Sequence, residues 1–245
     1  MKIIETIDEY FDERGAAVTI GAFDGVHKGH QYLINKLIEI AKQKQLTTVI
    51  ITFKRNPKSV FNTNSITAKR LLPLSKKNEL LAKFGIDYLI NLNFDENLFN
   101  MTAQDFVEKI LFNKLNAKVL VVGDDFRFGR QKTGDLNFLR NAFSENLVIA
   151  ERIRLNNEII SSTLIKSLIA NYEFDKANAM LGYDYFFSGI VERGNNRGSA
   201  LGFPTANIKY SENLIDINGV FATETVIENI KYKSFSHIGH IPTFN

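Results

Sequence analysis

The chain has 245 residues, enough for one large or two small domains, and 44% of them are hydrophobic, which suffices for an ordinary core. It has no cysteine, so disulfide frameworks and thiol chemistry are excluded, and no apolar run approaches the length of a membrane span. The net charge of +3 comes from scattered basic residues, and the acidic start of the chain lacks the features of a secretory signal. We therefore expect a cytoplasmic protein with no nucleic-acid or membrane partner.

The first strong pattern is an apolar strand ending at Ile20, followed by a glycine turn, Gly21-Ala22-Phe23-Asp24-Gly25, and then by His27-Lys28-Gly29-His30. A helix with one apolar face is predicted from Gln31 to about Lys44. A strand, a glycine turn and a helix start together form a typical phosphate site, where N–H groups and imidazoles donate to an anion. The alternatives are a structural turn with two solvated histidines, or part of a zinc site. Zinc needs three or four ligands, and the chain has only four histidines.

Further strands alternate with helices, which predicts a doubly wound parallel sheet. Strands are expected at residues 47–53, 88–92, 118–122 and 147–153, and helices begin at Ser75, after Thr102 and at Leu136. Residues 54–69 are expected to form a loop at the carboxyl end of a strand, where open α/β sheets bind their ligands.

The strand at residues 118–122 runs into Gly123-Asp124-Asp125-Phe126-Arg127-Phe128-Gly129. Such a loop can stack a planar ring on a phenylalanine, bond it through Asp125 and meet phosphate with an arginine. Equally, the aromatic rings can dock into the core while the charges face water. The chemistry of the residues leaves both interpretations open.

A hydroxyl-rich helix start follows at Ser161-Ser162-Thr163, with Lys166 one turn further on. These residues cap helices in many proteins, and they can equally form a second cradle for phosphate.

These motifs resemble those of the nucleotidyltransferase superfamily. The segment Gly-Ala-Phe-Asp-Gly-Val-His-Lys-Gly-His resembles its FAD synthetase branch in particular. The resemblance extends to the family's G-x-D-F-x-F-G and S-S-T-x-I-R motifs, with Lys166 where arginine is usual and Arg55 where proline is usual. It implies catalytic roles for His27, His30 and Lys166. It implies ATP-binding roles for Gly21, Ala22, Phe23, Asp24, Gly25, Gly29, Ser161, Ser162 and Thr163. It implies flavin or nucleotide binding by Phe53, Pro57, Gly123, Asp125, Phe126, Arg127 and Phe128.

Beyond residue 182 long helices give way to strands and turns, so we place a domain boundary there, giving domains 1–182 and 183–245. Leu201-Gly202-Phe203-Pro204-Thr205-Ala206-Asn207 resembles the signature of the riboflavin kinase module, which implies that Thr205 and Asn207 serve Mg²⁺. The strands expected beyond Asn245, with the family's general base, are absent from this sequence. We therefore expect an incomplete β-barrel that does not phosphorylate riboflavin. A second His-x-Gly-His at residue 237 is interpreted as accidental, because no helix is predicted after it.

The resemblance implies an enzyme that transfers AMP from ATP to FMN, giving FAD and pyrophosphate, with Mg²⁺ on the polyphosphate. Two alternatives are kept: a related nucleotidyltransferase with another phosphate acceptor, and a flavin or nucleotide binder without catalysis.

Overall fold

The computed structural model describes residues 1–55, 66–192, 202, 205–209 and 214–239. Its centre is a six-stranded sheet in the order β1-β4-β3-β2-β5-β6, in which every neighbouring pair runs parallel. The strands are β1 Lys2–Ile4, β2 Ala16–Ile20, β3 Thr47–Phe53, β4 Tyr88–Leu92, β5 Ala117–Gly123 and β6 Leu147–Ala150.

Helices connect these strands and continue after them. They are α1 Lys28–Lys44, α2 Leu74–Ala82, α3 Glu96–Asn100, α4 Ala103–Asp105 continued by a π-helical stretch Phe106–Lys114, α5 Leu136–Phe143, α6 Ser162–Ala170 and α7 Phe174–Leu181. Short 3₁₀ turns lie at Ile7–Glu9, Arg130–Lys132 and Ser144–Asn146. A two-stranded ribbon, β7 Arg154–Leu155 with β8 Glu158–Ile159, precedes α6.

The sheet is covered on both faces, which confirms the predicted doubly wound architecture. Val18 and Ile51 pack with the π-helical stretch and α5 on one face, whereas Ala17 and Ile50 pack with α1 and α2 on the other. Residues on both faces of β2 and β3 are therefore buried, except Phe53 at the end of β3, which is partly exposed. This burial explains why both strands are apolar or β-branched throughout.

The order of the strands places β2 at the point where the sheet reverses its direction of growth. The chain proceeds from β2 outwards through β3 and β4, and returns to the other side of β2 with β5 and β6. The crevice outside the carboxyl ends of β2 and β5 is therefore the topological switch point, where α/β sheets bind their ligands. The turn after β2 and the loop after β5 both begin at this crevice.

Several predicted boundaries are wrong. Helix α1 begins at Lys28, because the side chain of His27 caps it. Ser75 does not cap α2, whose N-cap is Pro73. Strand β6 ends at Ala150, and β1 was not predicted.

After α7, the described residues include two antiparallel ribbons: β9 Ile190–Glu192 with β10 Asn207–Lys209, and β11 Gly219–Ile227 with β12 Ile230–Ile238. The strand predicted at residues 185–191 is confirmed only at its end. His237 lies in β12, outside any described helix, and His240 lies outside the described residues. The ribbon β11–β12 exposes apolar side chains, of which Phe235 is 84% exposed.

The segment Leu214–Ile217 before β11 packs against the first part of the chain. Ile215 donates from its backbone N–H to the carbonyl of Arg70, and Lys69 forms an ion pair with Asp216. Ile215 and Ile217 are buried with Leu71, Leu72 and residues of α6 and α7. Residues 69–72 thus connect the first part of the chain with the segment that precedes β11.

Candidate active site

The turn after β2 has an unusual backbone. Phe23 and Val26 have positive φ angles of 48° and 40°, and Gly25 has a φ of +82°. Such angles strain a non-glycine residue, most of all a β-branched one. Phe23 and Val26 are both almost fully buried in the core beneath α1. Burial of these two side chains therefore stabilises a turn that the backbone alone would not adopt.

The carbonyl groups of this turn are directed inwards. Every carbonyl from residue 22 to residue 27 accepts a hydrogen bond from another group of the protein. The donors are Thr52 Oγ1 and Lys77 Nζ to Ala22, Val26 N to Phe23, Ser162 Oγ to Asp24, Tyr183 Oη to Gly25, Gln31 Nε2 to Val26 and Gln31 N to His27. The first N–H groups of α1 have no acceptor within the helix. The carbonyl oxygens of the turn are therefore already bonded within the protein, whereas N–H groups at the helix start remain to donate to a ligand. An anion site requires this arrangement.

The two histidines stack on each other. Their ring centroids are 3.6 Å apart with 15° between the planes, and Phe23 contacts His30 edge-on. His27 caps α1: its Nδ1 accepts from the backbone N–H of His30 at 3.3 Å. Because Nδ1 is an acceptor, the neutral His27 ring carries its proton on Nε2, which is left to donate. A side chain on Gly29 would contact the His27 ring at 3.2 Å, which explains the glycine between the histidines.

Both imidazoles are held neutral. Burial lowers the pKa of His27 to about 4, against a smaller opposing effect of Asp24. Burial also lowers the pKa of His30 well below its usual value, and the neighbouring His27 and Lys77 add to that effect. At neutral pH the pair therefore offers N–H donors without charge in the ligand-free protein.

A buried ion pair joins α6 to the turn. Lys166 Nζ lies 2.6 Å from Asp24 Oδ2, with the two side chains 3% and 10% exposed. Lys166 also donates to the carbonyl of Thr67 at 3.3 Å, and Asp24 Oδ1 accepts from the backbone N–H of Leu71 at 2.9 Å. With the Ser162 bond to the Asp24 carbonyl, this pair fastens the hydroxyl-rich helix start to the turn. In the ligand-free protein the ammonium of Lys166 is therefore held among protein groups and shielded from solvent.

The other residues with inferred ATP-binding roles differ in their contacts and exposure. Ser161 caps α6, since its Oγ accepts from the backbone N–H of Leu164 at 3.2 Å. Thr163, in the first turn of α6, is exposed. Gly21 donates from its backbone to Ile51 of the neighbouring strand, and Ala22 is partly exposed beside it. The structure thus brings the ATP-binding residues inferred around the turn to one place, but only some of their side chains face outwards.

In the loop after β5 one aromatic ring docks into the core while the charged side chains face water. Phe128 is buried among core aromatic rings, with Phe106 and Phe138 against it. Phe126 stacks on Phe128 at 5.6 Å and stays partly exposed. Gly123 ends β5 and is followed by exposed acids, among them Asp125. Arg127 is exposed and forms an ion pair with Asp135.

The other inferred binding residues lie on elements outside the turn or are not described. Phe53 ends β3 and packs edge-on against Phe94, partly exposed. Pro57 lies outside the described residues, as do residues 203 and 204 of the kinase signature. Thr205 and Asn207 are exposed, and Asn207 opens β10 opposite Glu192.

Three residues whose side chains bond the turn were not predicted from the sequence. Gln31 bonds Val26 and Leu181, Tyr183 bonds Gly25, and the buried Lys77 bonds Ala22. Gln31 directly follows the histidine motif, so its position was a usable signal. Tyr183 and Lys77 act across long stretches of sequence, so no local pattern indicated them.

The structure offers no protein cage for a metal ion: within the described ranges, no three histidine or carboxylate side chains cluster together. Thr205 and Asn207 provide oxygen donors of the kind that Mg²⁺ prefers, and both are accessible. In the same part of the chain, no helix is long and apolar enough to cross a membrane.

Comparison with known families gives two matches. A family model described as FAD synthetase matches residues 10–164, and one described as riboflavin kinase matches residues 181–245.

Individual proteins extend this likeness over nearly the whole chain. A bifunctional riboflavin kinase/FMN adenylyltransferase from Buchnera aphidicola subsp. Schizaphis graminum is 36% identical over 234 residues, which is 94% of this chain and 75% of that protein. The protein of the same name from Escherichia coli K12 is 34% identical over 231 residues, covering 92% and 74%. A crystal structure described as a macrolide-efflux protein from Streptococcus pneumoniae matches with a TM-score of 0.85 and 28% identity, covering 99% of this chain and 80% of that one.

Proposed function

The chain belongs to the FAD synthetase family, in the form that also carries a riboflavin kinase domain, and on that premise we propose that it transfers AMP from ATP to FMN. The products are FAD and pyrophosphate. The observation that carries this proposal is the turn after β2, whose carbonyls are all bonded to the protein while the helix start presents N–H donors. Such a turn suits the polyphosphate of ATP.

In the proposed reaction a phosphate oxygen of FMN attacks the α-phosphorus of ATP. A new P–O bond forms, the bond between the α-phosphorus and the bridging oxygen breaks, and that oxygen leaves with its electron pair on pyrophosphate. The FMN phosphate is already ionised at neutral pH, so no protein nucleophile or base is required. The protein accelerates this step by positioning the reactants and by stabilising developing charge.

The histidine pair is proposed to contact the phosphates directly. His27 donates from Nε2, since its Nδ1 is occupied by the backbone N–H of His30. His27 is buried, His30 is partly buried and the two rings stack, so their donors have few alternative orientations, are preorganised and lose little entropy when the transition state forms. When bound, Mg²⁺ supplies charge neutralisation on the polyphosphate, and it enters with ATP as part of the substrate.

We propose that Ser162 and Lys166 act through the turn. Both side chains bond Asp24, one at the carbonyl and one at the carboxylate, so they fix the turn against α6. Thr163 is exposed at the start of α6 and is proposed as a direct contact for the departing pyrophosphate. Asp125, Phe126 and Phe53, at the carboxyl edge of the sheet, are proposed to line the flavin and nucleotide pockets.

The test is incubation of the chain with ATP, Mg²⁺ and FMN, with separation of products by chromatography. We expect one FAD and one pyrophosphate for each ATP consumed. A panel with pantetheine phosphate, nicotinate mononucleotide and a polyol phosphate tests the other acceptors. Binding of ATP and FMN without turnover would instead support a non-catalytic binder. The same assay with riboflavin tests the prediction that this chain makes no FMN.

A further inference from the structure

Lys77 is a buried cation directly beneath the phosphate turn. It lies in the first half of α2 and is only 7% exposed. Lysine is rarely buried unless its charge has partners within the protein. Its Nζ donates to Thr52 Oγ1 at 2.9 Å, to the carbonyl of Phe53 at 3.1 Å and to the carbonyl of Ala22 at 3.3 Å. One ammonium thus joins the turn after β2 to the end of β3.

Thr52 completes this arrangement. Its hydroxyl donates to the carbonyl of Ala22 at 3.1 Å, so its single proton is used and its oxygen is left to accept from Lys77. The carbonyl of Ala22 therefore receives two donors, one of them charged. The side chains of Lys77 and Thr52 fix the direction in which the peptide group following Ala22 points.

The charge also acts beyond these hydrogen bonds. The carboxyl ends of β2 and β3 present carbonyl oxygens, whose partial negative charge would repel a polyphosphate bound at the same edge. An ammonium among these oxygens offsets that repulsion, and its burial keeps the field weakly screened by water. Its positive charge reaches His30, as the lowered pKa of that ring also indicates, after the larger effects of burial and His27.

We propose that Lys77, together with Thr52, is a positioning residue for ATP: it holds the carbonyl of Ala22 inwards and places a positive charge under the phosphate turn. This inference rests on the proposed function. Because Lys77 is buried, it acts through the turn and does not contact the substrate.

The test compares Lys77→Met, Lys77→Arg and Lys76→Met. Methionine removes the donors and the charge at similar length, whereas arginine keeps both. Lys76 is the matched control, because it lies next to Lys77 in α2 but forms a partly exposed ion pair with Glu79. We expect Lys77→Met to raise the Kd and KM for MgATP by about tenfold or more, which corresponds to ~1.4 kcal/mol, and to change the Kd for FMN less. Lys77→Arg should recover part of the ATP affinity, and Lys76→Met should match the wild type.

Folded Lys77→Met that binds MgATP with wild-type Kd would overturn the proposal, as would an equal loss for Lys76→Met. A lower Tm with unchanged ATP affinity would mean that Lys77 serves stability alone. If Lys77→Met does not fold, Thr52→Val is measured instead, since it keeps the ammonium and nearly the same volume. The proposal then requires weaker MgATP binding, and wild-type affinity refutes it. Calorimetric binding of MgATP keeps this test separate from the proposed function, which fails only if the wild type makes no FAD.

Discussion

Removal of Lys166 should destabilise the protein strongly, because its partner Asp24 would be left buried with an uncompensated charge. The two side chains are 3% and 10% exposed and 2.6 Å apart. Breaking a buried ion pair from one side typically costs about 3–5 kcal/mol. For a chain of this size that loss lowers Tm by roughly 6–20 °C, at about 2–4 °C for each kcal/mol. We therefore expect Lys166→Met to lose a large part of the total free energy of unfolding.

The assay is chemical denaturation of Lys166→Met, Asp24→Asn and the double variant. The double variant has no buried charge to compensate, so it should be more stable than the sum of the two single losses predicts. Lys176→Met is the control, because Lys176 forms an exposed ion pair with Glu173 and its loss should cost under about 0.5 kcal/mol.

Two results would refute this reasoning. The first is a loss for Lys166→Met no greater than that for Lys176→Met. The second is additivity of the single variants, which would mean that Asp24 and Lys166 do not interact in solution. Weaker MgATP binding by Lys166→Met with unchanged stability would indicate that the ammonium leaves Asp24 to contact phosphate.

Three further predictions concern the turn itself. His30→Ala should lower kcat for FAD formation by about 10²–10³ while the circular dichroism spectrum is retained, and near-normal turnover would remove His30 from the mechanism. An NMR titration should place the pKa of His27 near the value of about 4 that burial imposes. Because the unfolded ring takes up a proton first, stability is complete above pH 6.5 and should fall by at most ~3 kcal/mol as the pH drops to 4, which urea denaturation over that range measures. Gly25→Ala should cost well over 1 kcal/mol, since its new carbon would lie 2.5 Å from Leu71 Cδ1. Gly85→Ala, at a similar φ of +70° with nothing within 4 Å, should cost only the backbone strain, and equal losses in thermal unfolding would contradict the steric argument.

The sheet was predictable because its signals are local. Apolar, β-branched runs such as Thr47–Phe53 are typical of buried strands, and their alternation with helices favours a parallel sheet. Strand β1 was missed because three residues at a sheet edge, in an acidic stretch, carry no such pattern. Ser75 has the residue type that is typical of an N-cap, which is why the helix was predicted to begin there. The N-cap is instead Pro73, whose fixed φ angle already suits the start of a helix.

The site was predictable in its motifs but not in its connections. The histidine motif identified the turn, since its glycines and ring spacing are local properties. Most partners of the turn lie 30 to 158 positions away along the chain, such as Thr52 for Ala22 and Tyr183 for Gly25, and nothing in a single sequence reports such pairs. The burial of Lys166 was likewise invisible, because an exposed lysine and a paired buried lysine look the same in a sequence.

The packing of Leu214–Ile217 against residues 69–72 has a consequence for how this gene can evolve. The two family matches suggest modules that recombination could exchange between genes, with a crossover between residues 164 and 181. Yet Leu71, whose backbone N–H bonds Asp24, is buried with Ile215 and Ile217 from the second match. A crossover there would place Leu71 against the residues that another protein has at positions 215 and 217. Those residues would have evolved in contact with a different residue at position 71. The two stretches are therefore expected to be inherited together, with compensating substitutions across this contact.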